Sequence, residues 1–368
     1  MTGYCSPCEK VLGGDTMTLY DNPLYLDDVN MVSQLDLPWD KLQGKSVLIS
    51  GATGLVGSFL VDVLMKKNED ELGCTIYALS RNAERAAKRF SRWQGNPFLQ
   101  FIAYDINLPF VRDDLGKVDY ILHLASNTHP MQYSTDPIGT ITTNIIGLTN
   151  MLDFAVAHEA SRFAFSSSNE VYGENRGDVE MFTEDYCGYI NCNTMRAGYP
   201  ESKRCGEALC QAYKSQKGLD IVIPRLTRSY GPTMLMSDTK AISQFIRKGV
   251  AGEDIILKSA GTQYYSYTYM ADAVSGLLTV LLCGESGEAY NIADIASDIM
   301  LKDLAAIIAD TAGKQVVFEL PDAVEAAGYS TATKARLDGS KLKTLGWKPA
   351  YDIRGGLERT ISILKEII

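Results

Sequence analysis

Ser46-Val-Leu-Ile-Ser50 runs directly into Gly51-Ala-Thr-Gly54-Leu-Val-Gly57, and from 55 to 66 apolar residues recur at helical spacing. A short apolar run, a glycine turn and a helix make a strand–loop–helix unit. Glycines are needed where the backbone turns sharply and comes close to a pyrophosphate. The helix start then presents free N–H groups and the positive end of its dipole to that anion. The spacing is G-x-x-G-x-x-G, and the alternative is a plain tight turn. Its place at the first strand–helix junction favours dinucleotide binding. Gly51, Thr53, Gly54, Leu55, Val56 and Gly57 are the candidates.

Outward from this unit, apolar runs at 75–79, 99–103, 120–124, 162–166 and 220–224 alternate with helical stretches at 82–93, 139–158 and 199–218. Strands alternating with helices imply parallel pairing through crossovers. The fold class expected is α/β, a Rossmann-type doubly wound parallel sheet with a smaller C-terminal α/β lobe. Residues 1–42 read as an N-terminal extension packing on the surface through Leu24, Leu26, Leu35, Leu37 and Trp39. Residues 43–226 read as the NAD(P)-binding domain, and 227–368 mainly as the substrate lobe, interlocked with the first.

The chain has 368 residues, 35 Lys and Arg against 45 Asp and Glu, and a formal charge of −10. The hydrophobic share of 46% excludes disorder for most of it. The acidic balance argues against nucleic acid and anionic membranes as partners. No stretch has the ~20 apolar residues that span a bilayer, and the first residues lack the pattern of a secretory signal. The expectation is a cytoplasmic protein with its eight cysteines reduced. Cys5 and Cys8 form a lone C-x-x-C without a second pair, and the other cysteines read as small core or half-buried side chains. None of the three histidines, His123, His129 and His158, has metal-ligand spacing, so no metal is expected.

The second strand ends in Ser80-Arg81-Asn82, where an NAD site usually offers a carboxylate to the adenosine ribose. An arginine there suits the 2′-phosphate of NADP, or merely opens a basic helix containing Arg85, Lys88 and Arg89. The reading leans to NADP and leaves NAD open. Asp105, closing the third strand, is placed to meet the adenine amine.

The strongest signal is Tyr199-Pro-Glu-Ser-Lys203, at the start of a helix. Tyrosine and lysine four residues apart share a helical face. The ammonium of Lys203 would favour the Tyr199 phenolate, making it a general base, and would hold the nicotinamide ribose. A surface i,i+4 pair is the alternative. Upstream, Phe165-Ser-Ser-Ser168-Asn169-Glu170-Val-Tyr-Gly173 ends another strand at the edge where such sheets place chemistry. Ser168 would bridge a substrate hydroxyl and Tyr199. Glu170 is either a base or a carboxylate satisfying the turn that follows. The tyrosines at 264, 265, 267 and 269 read as a half-buried strand more than as a base-stacking surface.

Together these motifs resemble the extended short-chain dehydrogenases/reductases, the NAD-dependent epimerase/dehydratase family. The likeness runs from about Gly44 to Ile363, through HLASNTHP at 123–130, the segment around Asn144, RSYGP at 228–232 and LDGSKLKTLGW at 337–347. Within the family the chain looks most like UDP-glucuronate decarboxylases. The resemblance implies a tightly bound NAD or NADP, a nucleotide-diphosphate sugar as substrate and a homodimer built on the helices at 139–158 and 199–218. It adds Asn82, Ile106, Leu124, Ala125, Ser126 and Asn144 to the cofactor set, and Thr128, Asn169 and Gln244 to the substrate set. It also implies a redox cycle: hydride leaves sugar C4 as Tyr199 takes the 4-hydroxyl proton, giving a 4-keto sugar that is epimerised, dehydrated or decarboxylated.

Dehydratases of the family carry Asp as the acid where this chain has Asn169, which cannot donate as an acid. Decarboxylases carry Asn before Tyr-Gly-Pro where this chain has Arg228, and a diphosphate-gripping Arg where it has Tyr265. Their Arg-rich run is here Lys334-Ala335-Arg336. A rebuilt substrate pocket is expected, with Arg228 replacing the lost diphosphate contact and Arg336 serving one position displaced. An NADPH-dependent carbonyl reductase and a non-catalytic dinucleotide-binding protein are the other readings; intact Ser168, Tyr199 and Lys203 argue against the last.

Overall fold

The computed structural model describes residues 17–128, 130–319 and 333–368; Cys5, Cys8 and His129 lie outside them. The apolar runs become β1 (Ser46–Ser50), β2 (Thr75–Ser80), β3 (Leu99–Ala103), β4 (Tyr120–His123), β5 (Arg162–Phe165), β6 (Ser167–Ser168) and β7 (Ile221–Leu226). The later strands are β8 (Arg228–Tyr230), β9 (Ile255–Leu257), β10 (Tyr264–Tyr269), β11 (Ala289–Ile292), β12 (Asp298–Met300), β13 (Val316–Phe318) and β14 (Lys334–Ala335). The large sheet runs β11-β7-β5-β4-β1-β2-β3, all parallel, with β6 extending beside β7. The Val47–Ser50 stretch is buried without alternation, as a strand covered by helices on both faces requires. Strand order reverses between β1 and β4, so the loops leaving these two strands part and open a crevice.

The helices that cover the sheet and flank the crevice are α1 (Pro23–Ser33), α2 (Leu55–Asn68), α3 (Ala83–Arg89), α4 (Pro130–Thr135), α5 (Pro137–Ala157), α6 (Gly198–Lys217), α7 (Ala241–Ala251), α8 (Met270–Cys283) and α9 (Leu301–Ala312). A second sheet, β12-β10-β14 with β8 on β10, forms the other wall with α7. The tyrosine run is strand β10, buried from Tyr265 onward.

The N-terminal segment packs on the surface as expected, with Leu24, Leu35, Leu37 and Trp39 half-buried against the core, and it also goes deeper: Tyr25, Asp28, Val29 and Val32 on the inner face of α1 are buried. Tyr25 and Tyr20 donate to the buried Asp62 carboxylate of α2, which also accepts from Arg89 (2.5 Å). Asp28 accepts from Tyr269 (2.6 Å), Tyr351 (2.7 Å) and Arg359 (2.8 Å), tying α1 to the second lobe. The cysteines also divide: Cys74 and Cys210 are buried and Cys283 half-buried, but Cys187, Cys192 and Cys205 are exposed because they lie on the 187–192 loop and the outer face of α6. Among the described residues no helix is long and apolar enough to cross a membrane, and no His/Cys/Asp/Glu group has metal-binding geometry.

Candidate active site

A cavity of about 780 Å³ lies between the carboxyl edge of the large sheet and the second lobe. Its floor is the β1–α2 loop. Gly51 has φ +73°, and a Cβ there would come 2.8 Å from the Ala125 nitrogen; a Cβ on Gly57 would collide with the Gly51 carbonyl. Gly54 is the N-cap of α2 and carries no capping side chain, so the first N–H groups of the helix face the cavity uncapped. The loop therefore fits a dinucleotide pyrophosphate. Thr53, Leu55, Val56, Ser80, Arg81, Asp105, Ile106, Leu124, Ala125 and Ser126 line the same cavity.

Two residues expected beside them do not. Asn82 caps α3, its side chain accepting from the Arg85 nitrogen at 2.7 Å. Asn144 lies behind the wall, 1% exposed, accepting from Ser126 (2.7 Å) and donating to Ser202 (2.8 Å). It orients Ser126 from behind the cavity wall. Arg85, expected only as part of a basic helix, reaches back to donate to Thr53 Oγ1 at 2.9 Å, and Thr53 in turn bonds Ser80 at 2.8 Å.

Tyr199 in the first turn of α6 and Lys203 one turn later are both buried on the cavity wall, next to Ser168. Lys203 Nζ donates to the Ser166 carbonyl at 2.8 Å and sits 4.8 Å above the Phe165 ring. Burial lowers its pKa to about 8. Burial and the Glu170 charge push the Tyr199 phenol up, while the Ser168 hydroxyl, the Arg196 charge and the neighbouring Ser126 pull it down less strongly. The net shift is upward, and the lowering expected from Lys203 is not among its causes. Ser168 Oγ accepts from the Glu170 nitrogen at 3.2 Å, which leaves its proton free to donate.

Glu170 is held in an ion pair with Arg196 at 2.7 Å. The Arg196 guanidinium lies 4.7 Å from the centre of the Tyr133 ring, and Tyr133 stacks on Tyr199 at 4.9 Å. The sequence reading missed Tyr133 and Arg196. Arg196 stands three residues before Tyr199, a spacing that would have flagged it.

Thr128, Asn169, Arg228, Gln244 and Tyr265 line the substrate side. The Arg228 guanidinium stacks 3.6 Å from the Tyr265 ring centre, with a buried, unpartnered Nη1. Arg336 is outside the cavity, because Asp298 (2.7 Å) and Glu180 (3.0 Å) hold it. His123 is buried, bonded to Ser50 at 3.0 Å, with its pKa lowered to about 3 by burial; it stays neutral inside the sheet.

Residues 47–293 match the model of the NAD dependent epimerase/dehydratase family. UDP-glucuronic acid decarboxylase 3 of Arabidopsis thaliana is 32% identical over 312 residues, 84% of this chain and 86% of the relative. UDP-glucuronic acid decarboxylase 1 of Danio rerio is 31% identical over 86% of this chain and 72% of its own. Among solved structures, DesIV (dTDP-glucose 4,6-dehydratase) from Streptomyces venezuelae, with NAD and TYD bound, superposes with a TM-score of 0.75 at 26% identity. The match covers 87% of this chain and 97% of that one. UDP-glucuronic acid 4-epimerase from Bacillus cereus has the same fold, with a TM-score of 0.76 at 23% identity over 88% and 100% of the two chains. The chain belongs to the NAD dependent epimerase/dehydratase family.

Proposed function

We propose that the protein oxidises a nucleotide sugar at C4 to a 4-keto intermediate, that UDP-glucuronate is the substrate, and that its C6 carboxylate leaves as carbon dioxide. The observation that carries this is the convergence of Ser168, Tyr199 and Lys203 on one cavity with the glycine loop. Bound on that loop, a nicotinamide dinucleotide would supply the hydride acceptor and donor. Tyr199, aligned by Ser168, takes the 4-hydroxyl proton. Lys203 stands one helical turn away, placed for the nicotinamide ribose. The ketone next to C5 then lets the C5–C6 bond break, its electron pair passing into the enolate; the enolate takes a proton at C5, and return of the hydride to C4 with the proton held by Tyr199 would restore the 4-hydroxyl.

Two residues support decarboxylation over dehydration. Asn169 cannot protonate a leaving hydroxyl, and Glu170, paired with Arg196, is held away from the role of C5 base. Decarboxylation of a β-keto acid needs neither. The same two residues suit a 4-epimerase, which leaves C5 untouched; this is the second reading. For the cofactor we propose NADP, because the end of β2 offers no carboxylate to a ribose 2′-hydroxyl and instead presents Arg81 and Arg85 to the cavity. We also propose a homodimer through α5 and α6.

The test is incubation with UDP-, CDP-, GDP- and dTDP-sugars, read by mass and proton NMR. UDP-glucuronate is expected to lose the mass of carbon dioxide. An unchanged mass with a changed C4 configuration would select the epimerase, loss of water would refute both, and no turnover of any nucleotide sugar would overturn the proposal.

A further inference from the structure

We propose that Arg196 is a positioning residue that sets the ionisation of the general base Tyr199, acting from the junction between Glu170 and the Tyr133–Tyr199 ring stack; this rests on the base role given to Tyr199 above. Arg196 lies in the 3₁₀ turn Met195–Ala197, immediately before α6, so it is fixed to the same backbone that carries Tyr199. One Nη donates to Glu170 Oε1 at 2.7 Å, with the two side chains 18% and 20% exposed. The flat face of the guanidinium covers Tyr133 (4.7 Å), whose ring lies nearly parallel to that of Tyr199, at 28°. Its Nε is buried without a protein acceptor. Two contacts thus hold one cation beside the phenol.

Tyr199 faces Glu170 from the turn after β6, Tyr133 from α4 and Arg196 from the preceding turn; Lys203 lies one turn on along its own helix, and Asp238 acts on Tyr133 from farther away. The Lys203 ammonium is bonded to the Ser166 carbonyl. Glu170 alone would place an uncompensated, half-buried carboxylate next to a group that must become an anion. With Arg196 in place the pair is neutral, and the phenolate forms without facing a net negative charge.

The test reads Tyr199 directly. With the oxidised dinucleotide bound, tyrosinate absorbance is titrated for each protein and for the same protein carrying Tyr199→Phe, and the difference reports Tyr199 alone. In Arg196→Ala the midpoint is expected to rise by about one pH unit, about a tenfold smaller ionised fraction at a given pH. On sugar turnover, the acid limb of kcat moves up by the same amount while KM stays within about twofold. Arg196→Lys, which keeps the charge, recovers part of the shift. Arg196→Ala combined with Glu170→Gln returns the midpoint close to wild type, since both charges are gone. Should Arg196→Ala fail to fold, as shown by loss of dinucleotide binding, Arg196→Gln gives the same readout. A midpoint that does not move in a variant that binds dinucleotide overturns the proposal, as does a double variant that remains as displaced as the single one. The titration needs no sugar substrate, so failure of the proposed reaction and failure of this role are separate results.

Discussion

Arg81 and Arg85 carry the NADP proposal, and they do so unequally. Both are exposed on the cavity rim, but Arg85 is anchored through Thr53 Oγ1 (2.9 Å). An anchored guanidinium has already lost part of its rotamer freedom, so it meets a phosphate at smaller entropic cost. Arg85→Ala is expected to weaken NADP binding about tenfold and NAD binding less than about twofold, since both sites are partly solvated. Titration calorimetry with the two nucleotides checks this, and equal losses for both would remove Arg85 from 2′-phosphate recognition. At this scale the sequence showed what local spacing encodes. The glycine loop and the Tyr199–Lys203 pair were legible because each lies within a few residues. Arg196–Glu170 was not, since its partners are 26 residues apart. Arg336 was misread for the same reason: a basic residue is visible in sequence, but not Asp298 and Glu180, 38 and 156 residues away, that occupy it.

Helix α1 shows what an element's boundaries can hide. Asn22 is an N-cap accepting from the Tyr25 nitrogen (3.1 Å) and Pro23 is the first helical residue, inside a segment read only as an extension. Tyr25, Val29 and Val32 then follow at i, i+4 and i+7, the inward stripe of a helix. The helix docks on α2 through a charge: Asp62 is 1% exposed and pairs with Arg89 at 14%. Removing one member of such a pair strands the other. Asp62→Asn is therefore expected to cost about 3–5 kcal/mol. Tyr25→Phe, which removes one of several donors to Asp62, should cost about 1–2 kcal/mol. Urea denaturation of the two variants checks the ranking; equal midpoints would show that Asp62 is not what fastens α1. The strands and the long helices, by contrast, were legible in the sequence to within a few residues, because their hydrophobic periods are unbroken and parallel strands are buried on both faces.

On the scale of the molecule, the formal charge of −10 coexists with a cavity lined by Arg81, Arg85, Arg196, Lys203, Arg228, Lys240 and Lys248, so the surface repels polyanions while the cleft receives a small anionic ligand. The two lobes share one apolar core, and Asp28 joins the N-terminal helix to Tyr269 of β10 and Arg359 of the C-terminal helix. An exposed apolar row on α5 is not explained by the fold. Ile138, Ile141 and Ile146 on α5 are 75%, 37% and 46% exposed, on a helix whose other face packs along α6. Isoleucines repeated on the water side of a helix are costly unless covered. A second copy related by a two-fold axis covers the row with itself, since a patch on a helix pair is self-complementary under that operation. Wild-type protein is expected to sediment as a dimer at micromolar concentration, and Ile138→Asp with Ile141→Asp as a monomer that still binds dinucleotide. Both substitutions lie on the exposed face of α5, so retained dinucleotide binding separates loss of assembly from loss of fold. A wild-type chain that sediments as a monomer would leave this row to another partner and would end the dimer proposal.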